Sequence, residues 1–343
     1  MSSPKLVSPS CSPSGEAAAI AELVVGNRYE EALEHFFELG ASCRGDSLCQ
    51  YWAATAAARL GRYPAAMTLA SGAEAAFTGD RRSKEYIRLI NLLGALALEQ
   101  GDVKAAESRF RAILAERQFV EDRIIAAHAL TNLASILDLR GESDGALRLY
   151  YEALREYHAL EDRRGVAQTY HNINLVFRKL EMHEAGESVA RLALKNAEAV
   201  GDASLIALCL SGQAENRLER GDLEGAAQSL AEAQGLIGEA SDQTTAAEVG
   251  RLLALLHLRR GKVQEAVVEA EISRSIARRC GSALVAAECA AVAAIGFTLD
   301  GKPADASLRQ EEATRGFLGL EAKWLRARYG DAWNNACIAG RQS

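Results

Sequence analysis

Proline is nearly absent from the body of this 343-residue chain: three of its five prolines stand by residue 13, leaving only Pro64 and Pro303 beyond. So few helix breakers leave room for long helices throughout. Aromatic residues are scarce as well, 6% against 49% for all apolar residues, so Ala and Leu must supply the core, as thin helix-on-helix contacts require. No run alternates in the manner of a strand. No apolar stretch approaches the ~20 residues that a bilayer-spanning helix needs, and the first ten residues hold no segment of secretory-signal length. Residues 1–12 read as a disordered tail, and the protein as cytoplasmic with no membrane partner. The seven cysteines are odd in number and scattered, which suits a reducing compartment better than a disulfide framework. Positive charge is short too: the net charge of −7 argues against a nucleic-acid partner, which would show a basic stripe.

The residues of catalysis are missing in the same way. There is no Gly-rich phosphate loop and no Gly-x-Ser-x-Gly elbow. His183-Glu-Ala-Gly-Glu187 lacks the second histidine of a zinc-binding helix, and the six histidines are dispersed. The expectation is a non-enzyme with no catalytic residue, no metal and no cofactor. Cys43-Arg-Gly-Asp-Ser-Leu-Cys49 has the outline of a disulfide-closed adhesion loop, but Asp46 and Ser47 read better as the start of a helix.

What the chain has in abundance is regularity. Gly61, Gly101, Gly141, Gly221, Gly261 and Gly301 stand on one 40-residue grid, and only Glu181 interrupts it. Small residues recur seven before each grid point (Ala54, Gly94, Ala134, Ala214, Ala254, Ala294) and five after it (Ala66, Ala106, Ala146, Gly186, Ala226, Ala266, Ala306). A fixed period of this length marks stacked supersecondary units. Each unit holds two segments with apolar residues at helical spacing, such as Ala127–Arg140 and Asp144–Arg155. The glycine lies where the first helix must end and reverse, a position that favours positive φ. The small residues let the two helices approach closely. Pro64 and Pro303 suit the first turn of the second helix. Asp122, Asp162, Asp202, Asp242 and Ser282 are spaced to cap the next unit's first helix.

This pattern resembles the tetratricopeptide repeat (TPR). Leu93-Gly94, Gly101-Asp102 and Ala105-Ala106 match its positions, as do Leu133-Ala134, Gly141-Glu142, Ala146 and Ala153, and Gly221-Asp222, Ala226 and Ala233. The first unit, around Asn27–Ala32, precedes Gly61 by the usual TPR length. The later units are longer, like those of Pins-type and kinesin-light-chain-type adaptors and of bacterial peptide-responsive regulators. The resemblance implies an all-α fold, a right-handed α-solenoid of about eight TPR-like hairpins over residues 13–326, with a C-terminal capping helix and tail over 327–343.

The resemblance also implies a concave groove lined by the first helix of each unit. In that register His128, Thr131, Asn132, Gln168, His171, Asn172 and Arg178 form a polar ladder at mid-array. Asparagine amides carry donors and an acceptor and can clamp a peptide backbone. These seven residues are the candidate binding site for a protein or peptide partner, with Asp138 and Arg178 a candidate ion pair across adjacent helices. The expected function is a peptide- or protein-binding adaptor; the alternative is a sensor whose superhelix responds to a peptide or small ligand. Ala- and Arg-rich usage suggests a bacterium with a GC-rich genome. Two regions depart from the pattern. Around residues 167–200, Asn174, Glu181 and Gly186 replace the small residue, the turn glycine and the alanine. Leu320–Trp333 holds two of the three tryptophans, suiting a terminal cap or a homodimer contact.

Overall fold

The computed structural model describes residues 13–116, 123–237 and 242–339, and among these every regular element is a helix. The first pair, α1 (Pro13–Val25) and α2 (Tyr29–Glu38), is followed by a single helical turn, α3 (Ala41–Arg44). Seven hairpins succeed one another: α4 (Ser47–Arg59) with α5 (Tyr63–Ala76), α6 (Lys84–Glu99) with α7 (Val103–Ala115), α8 (Arg123–Leu139) with α9 (Ser143–Ala159), α10 (Arg163–Lys179) with α11 (His183–Val200), α12 (Ala203–Glu219) with α13 (Leu223–Leu236), α14 (Gln243–Arg259) with α15 (Val263–Cys280), and α16 (Ala283–Leu299) with α17 (Pro303–Gly319). A last helix, α18 (Lys323–Ala339), ends the described array. The described residues thus form a helical solenoid of eight hairpins and a terminal helix. The expected tail, residues 1–12, and the expected cap Asp122 lie outside the described residues.

The turns follow from backbone sterics. All six grid glycines have φ between +67° and +87°, a region costly for residues with a Cβ. Glu181 enters it too, at φ 57°, so the turn keeps its shape where the glycine is lost. Glu161, Gly201, Gly281 and Glu321 repeat the conformation at the ends of second helices. At these points the turn between units resembles the turn within one, whereas α5 and α13 end in extended residues, Phe77 and Ile237.

Asp46, Asp162, Asp202 and Asp242 cap α4, α10, α12 and α14 through side-chain oxygens. Asp46 is thus a helix cap, and Cys49 forms no disulfide, so Cys43 and Cys49 do not close a loop. Cys209, Cys280, Cys289 and Cys337 are free as well, whereas Cys43 is disulfide-bonded. Ser282 departs from its expected role: it stands at the N-cap of α16, but its Oγ donates to Glu99 Oε2 at 3.4 Å.

Small residues set the interhelix spacing. Ala134, Ala146, Ala214 and Ala226 are fully buried where the helices of a pair meet. A Cβ on Gly94 would fall 2.7 Å from the Phe110 ring, so α6 and α7 meet with no room for a methyl group.

The array turns tightly enough to meet itself. Arg140 Nε donates to Glu321 Oε2 at 2.5 Å across 181 residues, and Glu99 meets Ser282 across 183. Between them, Gln243 N donates to Leu60 O at 3.5 Å, and Gly101 abuts Ala283 and Leu320. One superhelical turn therefore takes about four and a half 40-residue units. The apolar core follows this closure: Phe110, Ile113 and Ile136 share one cluster with Phe317, Leu320 and Tyr329.

Candidate ligand-binding cavity

Closing the superhelix converts its concave face into a partly open lumen of about 350 Å³. Helix α8 supplies Asn132, Ser135 and Asp138 to the wall, and α10 supplies Gln168, His171, Asn172 and Arg178. Trp324 and Leu325 of α18 also line the cavity. Asn132, Gln168 and Asn172 make no side-chain hydrogen bond to any described residue, so their amides are available to a ligand. Asn132 and Asn172 stand one repeat apart on adjacent first helices.

His128 and Thr131 do not join this wall. Thr131 is buried against the next first helix, where its hydroxyl donates to Ala127 O at 3.0 Å and lies 3.5 Å from Thr169 Oγ1. The His128 ring instead lies 5.7 Å from that of Tyr157. Here the neighbouring first helix covers the fifth position, whereas His171, the fifth position one repeat further on, lines the cavity. The sixth positions Asn132 and Asn172 face the lumen as well.

Charge in the lumen is paired in a network. Arg251, 1% exposed, reaches Glu215 at 3.1 Å, Glu248 at 2.5 Å and Glu288 at 3.6 Å, and its Nη1 donates to Tyr329 Oη at 3.0 Å. Arg178 lies 2.9 Å from Glu215 and 3.4 Å from Glu219. The expected Asp138–Arg178 pair is not formed; Lys179 takes Asp138 at 2.6 Å and lies over the Trp324 ring. Arg328 lies 5.0 Å from the same ring, so Trp324 is held by two cations. Burial opposes ionisation of Glu215, but Arg178, Arg251 and Arg328 together hold its carboxyl well below the usual range. Burial, opposed by Arg251 and reinforced by Glu248 and Glu215, pushes Glu288 up to about 7. Burial also carries His171 down to about 4, leaving a neutral imidazole. At the seam, burial and the nearby Asp242 carboxylate raise Glu99 to about 7.

With this geometry in view, two segments match the family model described as tetratricopeptide repeat, residues 47–71 and 127–150, which fall on α4–α5 and α8–α9. Those two hairpins match the tetratricopeptide repeat, and the other hairpins repeat their turn and packing geometry. Among solved structures, a Rap protein complexed with Competence and Sporulation Factor superposes with a TM-score of 0.63 at 15% identity, over 96% of this chain and 98% of that one. The apo form of RapI gives 0.55 at 13% identity, over 80% and 98%. At these identities the likeness is one of fold. No curated protein matches the chain.

Several residues of the lumen lie outside the candidate ladder. Glu248, Arg251 and Glu288 sit in the same register positions as His128 and Thr131, further along the array, where a ladder confined to mid-array stops short. Glu99 and Asp242 share one cavity only because the superhelix closes, and no signal within one repeat announces that. Trp324 and Tyr329 looked like parts of a terminal cap. They pack inward, Tyr329 only 4% exposed and stacked on Phe317, so α18 covers the end of the core and also walls the cavity.

Proposed function

We propose that this TPR superhelix is a peptide- or protein-binding adaptor that holds an extended segment of its partner in the lumen. The single observation carrying the reading is the set of unengaged amides of Asn132, Gln168 and Asn172 on one wall of the lumen. Amides at one-repeat spacing can donate to and accept from a peptide backbone without reading its side chains. The volume sits at the small end of ligand cavities, about 300–1,000 Å³, and suits a short extended segment better than a helix. The solved Rap protein bound to Competence and Sporulation Factor is a ligand-bound precedent for the fold. A regulatory sensor is the second reading, and the seam favours it: a ligand in the lumen touches both superhelical turns, so occupancy and closure are coupled. The setting we assign is a bacterial cytoplasm, and the role non-catalytic.

The test is retention. Immobilised wild-type protein and the Asn132→Ala/Asn172→Ala variant are exposed to the same bacterial lysate, and bound material is eluted and sequenced by mass spectrometry. Wild type should retain a discrete set of peptides or proteins that the variant loses about tenfold or more. The variant should melt close to wild type, because unengaged polar side chains contribute little to folding. Retention of the same set by both proteins would remove the lumen as the site.

A further inference from the structure

Helix α18 begins forty residues after α16, so it is the first helix of a ninth unit, and among the described residues no second helix packs on it as α17 packs on α16. Its hold on the array differs from that of the first helices before it. Of its described side chains only Leu325, Tyr329 and Ala336 are buried, whereas α16 buries eleven. Elements with so little buried apolar surface open at the least cost. The rest of the hold is polar and reaches the lumen. Arg328 lies 2.9 Å from Glu219 and 3.5 Å from Glu215, both on α12. Tyr329 Oη accepts from Arg251 Nη1 at 3.0 Å, and Trp324 lies between Lys179 and Arg328.

A second observation is independent of the first. The charge network of the lumen is complete without α18. With that helix away, Arg251 keeps Glu215 at 3.1 Å and Glu248 at 2.5 Å, and Glu215 keeps Arg178 at 2.9 Å. Departure of α18 therefore strands no buried charge, the penalty that ordinarily locks a buried ion pair in place. What it uncovers is the face of Phe317 on which Tyr329 stacks, together with the edges of Glu215 and Glu219 that Arg328 engages. An apolar surface flanked by carboxylates is complementary to an amphipathic helix with aromatic and basic residues on one face.

We propose that α18 is a displaceable plug, an internal ligand of the array, and that a partner's amphipathic helix takes its seat by presenting the same face: an aromatic residue, an arginine four residues on, and a second aromatic next to it, as in Trp324, Arg328 and Tyr329. The proposal goes beyond the extended segment on the amide wall. It rests on the contacts of α18 and not on Asn132 or Asn172, so either reading can fail alone. While α18 is docked its seat is full, and a competing helix binds only the fraction of chains from which it has left. Arg140 holds Glu321 just ahead of α18, so the helix leaves while the array stays closed at that point.

The experiment has two arms, both on the full chain. In hydrogen exchange followed by mass spectrometry, α18 should exchange about tenfold or more faster than α16. Equal protection of the two helices overturns the proposal, because α18 then opens only with the rest of the array. The second arm titrates a fluorescently labelled synthetic peptide of residues 320–339 into wild type and into Arg328→Ala, which loosens the plug while Glu215 keeps its other two partners. The variant should bind the peptide about tenfold more tightly than wild type. The same peptide carrying Trp324→Ala and Arg328→Ala should bind neither protein. Fast exchange with no peptide bound by either protein makes α18 a fraying end only, and overturns the proposal. Equal binding of the two peptides, or equal affinity of the two proteins, also overturns it, since the seat then reads no face or lies elsewhere. Sedimentation of the variant alone should show a monomer at every concentration; a dimer that grows with concentration assigns the seat to the α18 of a second copy and removes the partner helix.

Discussion

Asn174 and Gly186 show how a repeat absorbs an exception at the scale of single residues. Asn174 occupies a position that is small in every other unit, and it is fully buried. Its Oδ1 accepts from Asn216 Nδ2 at 2.9 Å and lies 3.0 Å from where a Cβ on Gly186 would stand. Asparagine gains volume on one helix, glycine gives it up on the other, and the polar amide reaches a partner on the next unit. The regular units have no such slack. Replacing Ala146 with Leu should overpack the α8–α9 contact and cost about 1–3 kcal/mol in chemical denaturation; an unchanged midpoint would contradict the packing described. These small positions were legible in the sequence because close approach demands the absence of bulk, and absence repeats visibly. The lumen was legible only in part. Asn132 and Asn172 could be placed by register, whereas Arg251 and Glu215 acquire their meaning from each other, and nothing in either residue's own repeat marks the pairing.

At the scale of the element, the turn rather than the helix is what repeats. Left-handed residues end the first helix of each 40-residue unit and four of the second helices, with glycine at most of these points and glutamate at 161, 181 and 321. A Cβ in that region is strained, so Glu181→Gly should raise stability by up to about 1 kcal/mol, the relief of strain being offset by glycine's greater freedom in the unfolded chain. Thermal and urea unfolding check this, and a loss of stability would show that the Glu181 side chain contributes more than its backbone costs. Capping was equally legible where it is local: Asp162, Asp202 and Asp242 each bond the amides just ahead of them. Ser282 was misread because its partner, Glu99, belongs to a helix 183 residues away. Helix α18 was half-read for the same reason. Its amphipathic sequence signals a cap, but the cavity it walls exists only once the array has come round.

For the whole molecule, the seam makes stability depend on pH in a calculable direction. Glu99 and Glu288 are raised to about 7, above the ~4.3 of an unfolded glutamate. The folded state therefore binds more protons than the unfolded one across that interval, and stability falls as pH rises through it. His171, lowered to about 4, acts in the opposite sense, but only below its unfolded value of ~6.5. Between pH 6.5 and 8 the glutamates dominate, so calorimetry should show the melting temperature rising as pH is lowered across that range. Glu99→Gln should flatten the slope, and an unaltered slope would remove Glu99 from the account.

The closure has a further consequence, for the history of the chain. Arrays of independent units readily gain and lose copies, because each unit touches only its neighbours. Here the deletion of one hairpin between Gly141 and Gly301 would slide Arg140 forty residues off Glu321 and set Glu99 against a stranger. The array resembles a coopered barrel, in which no stave can be removed without opening the hoop. Its number of units is fixed by side chains that lie far from any unit boundary.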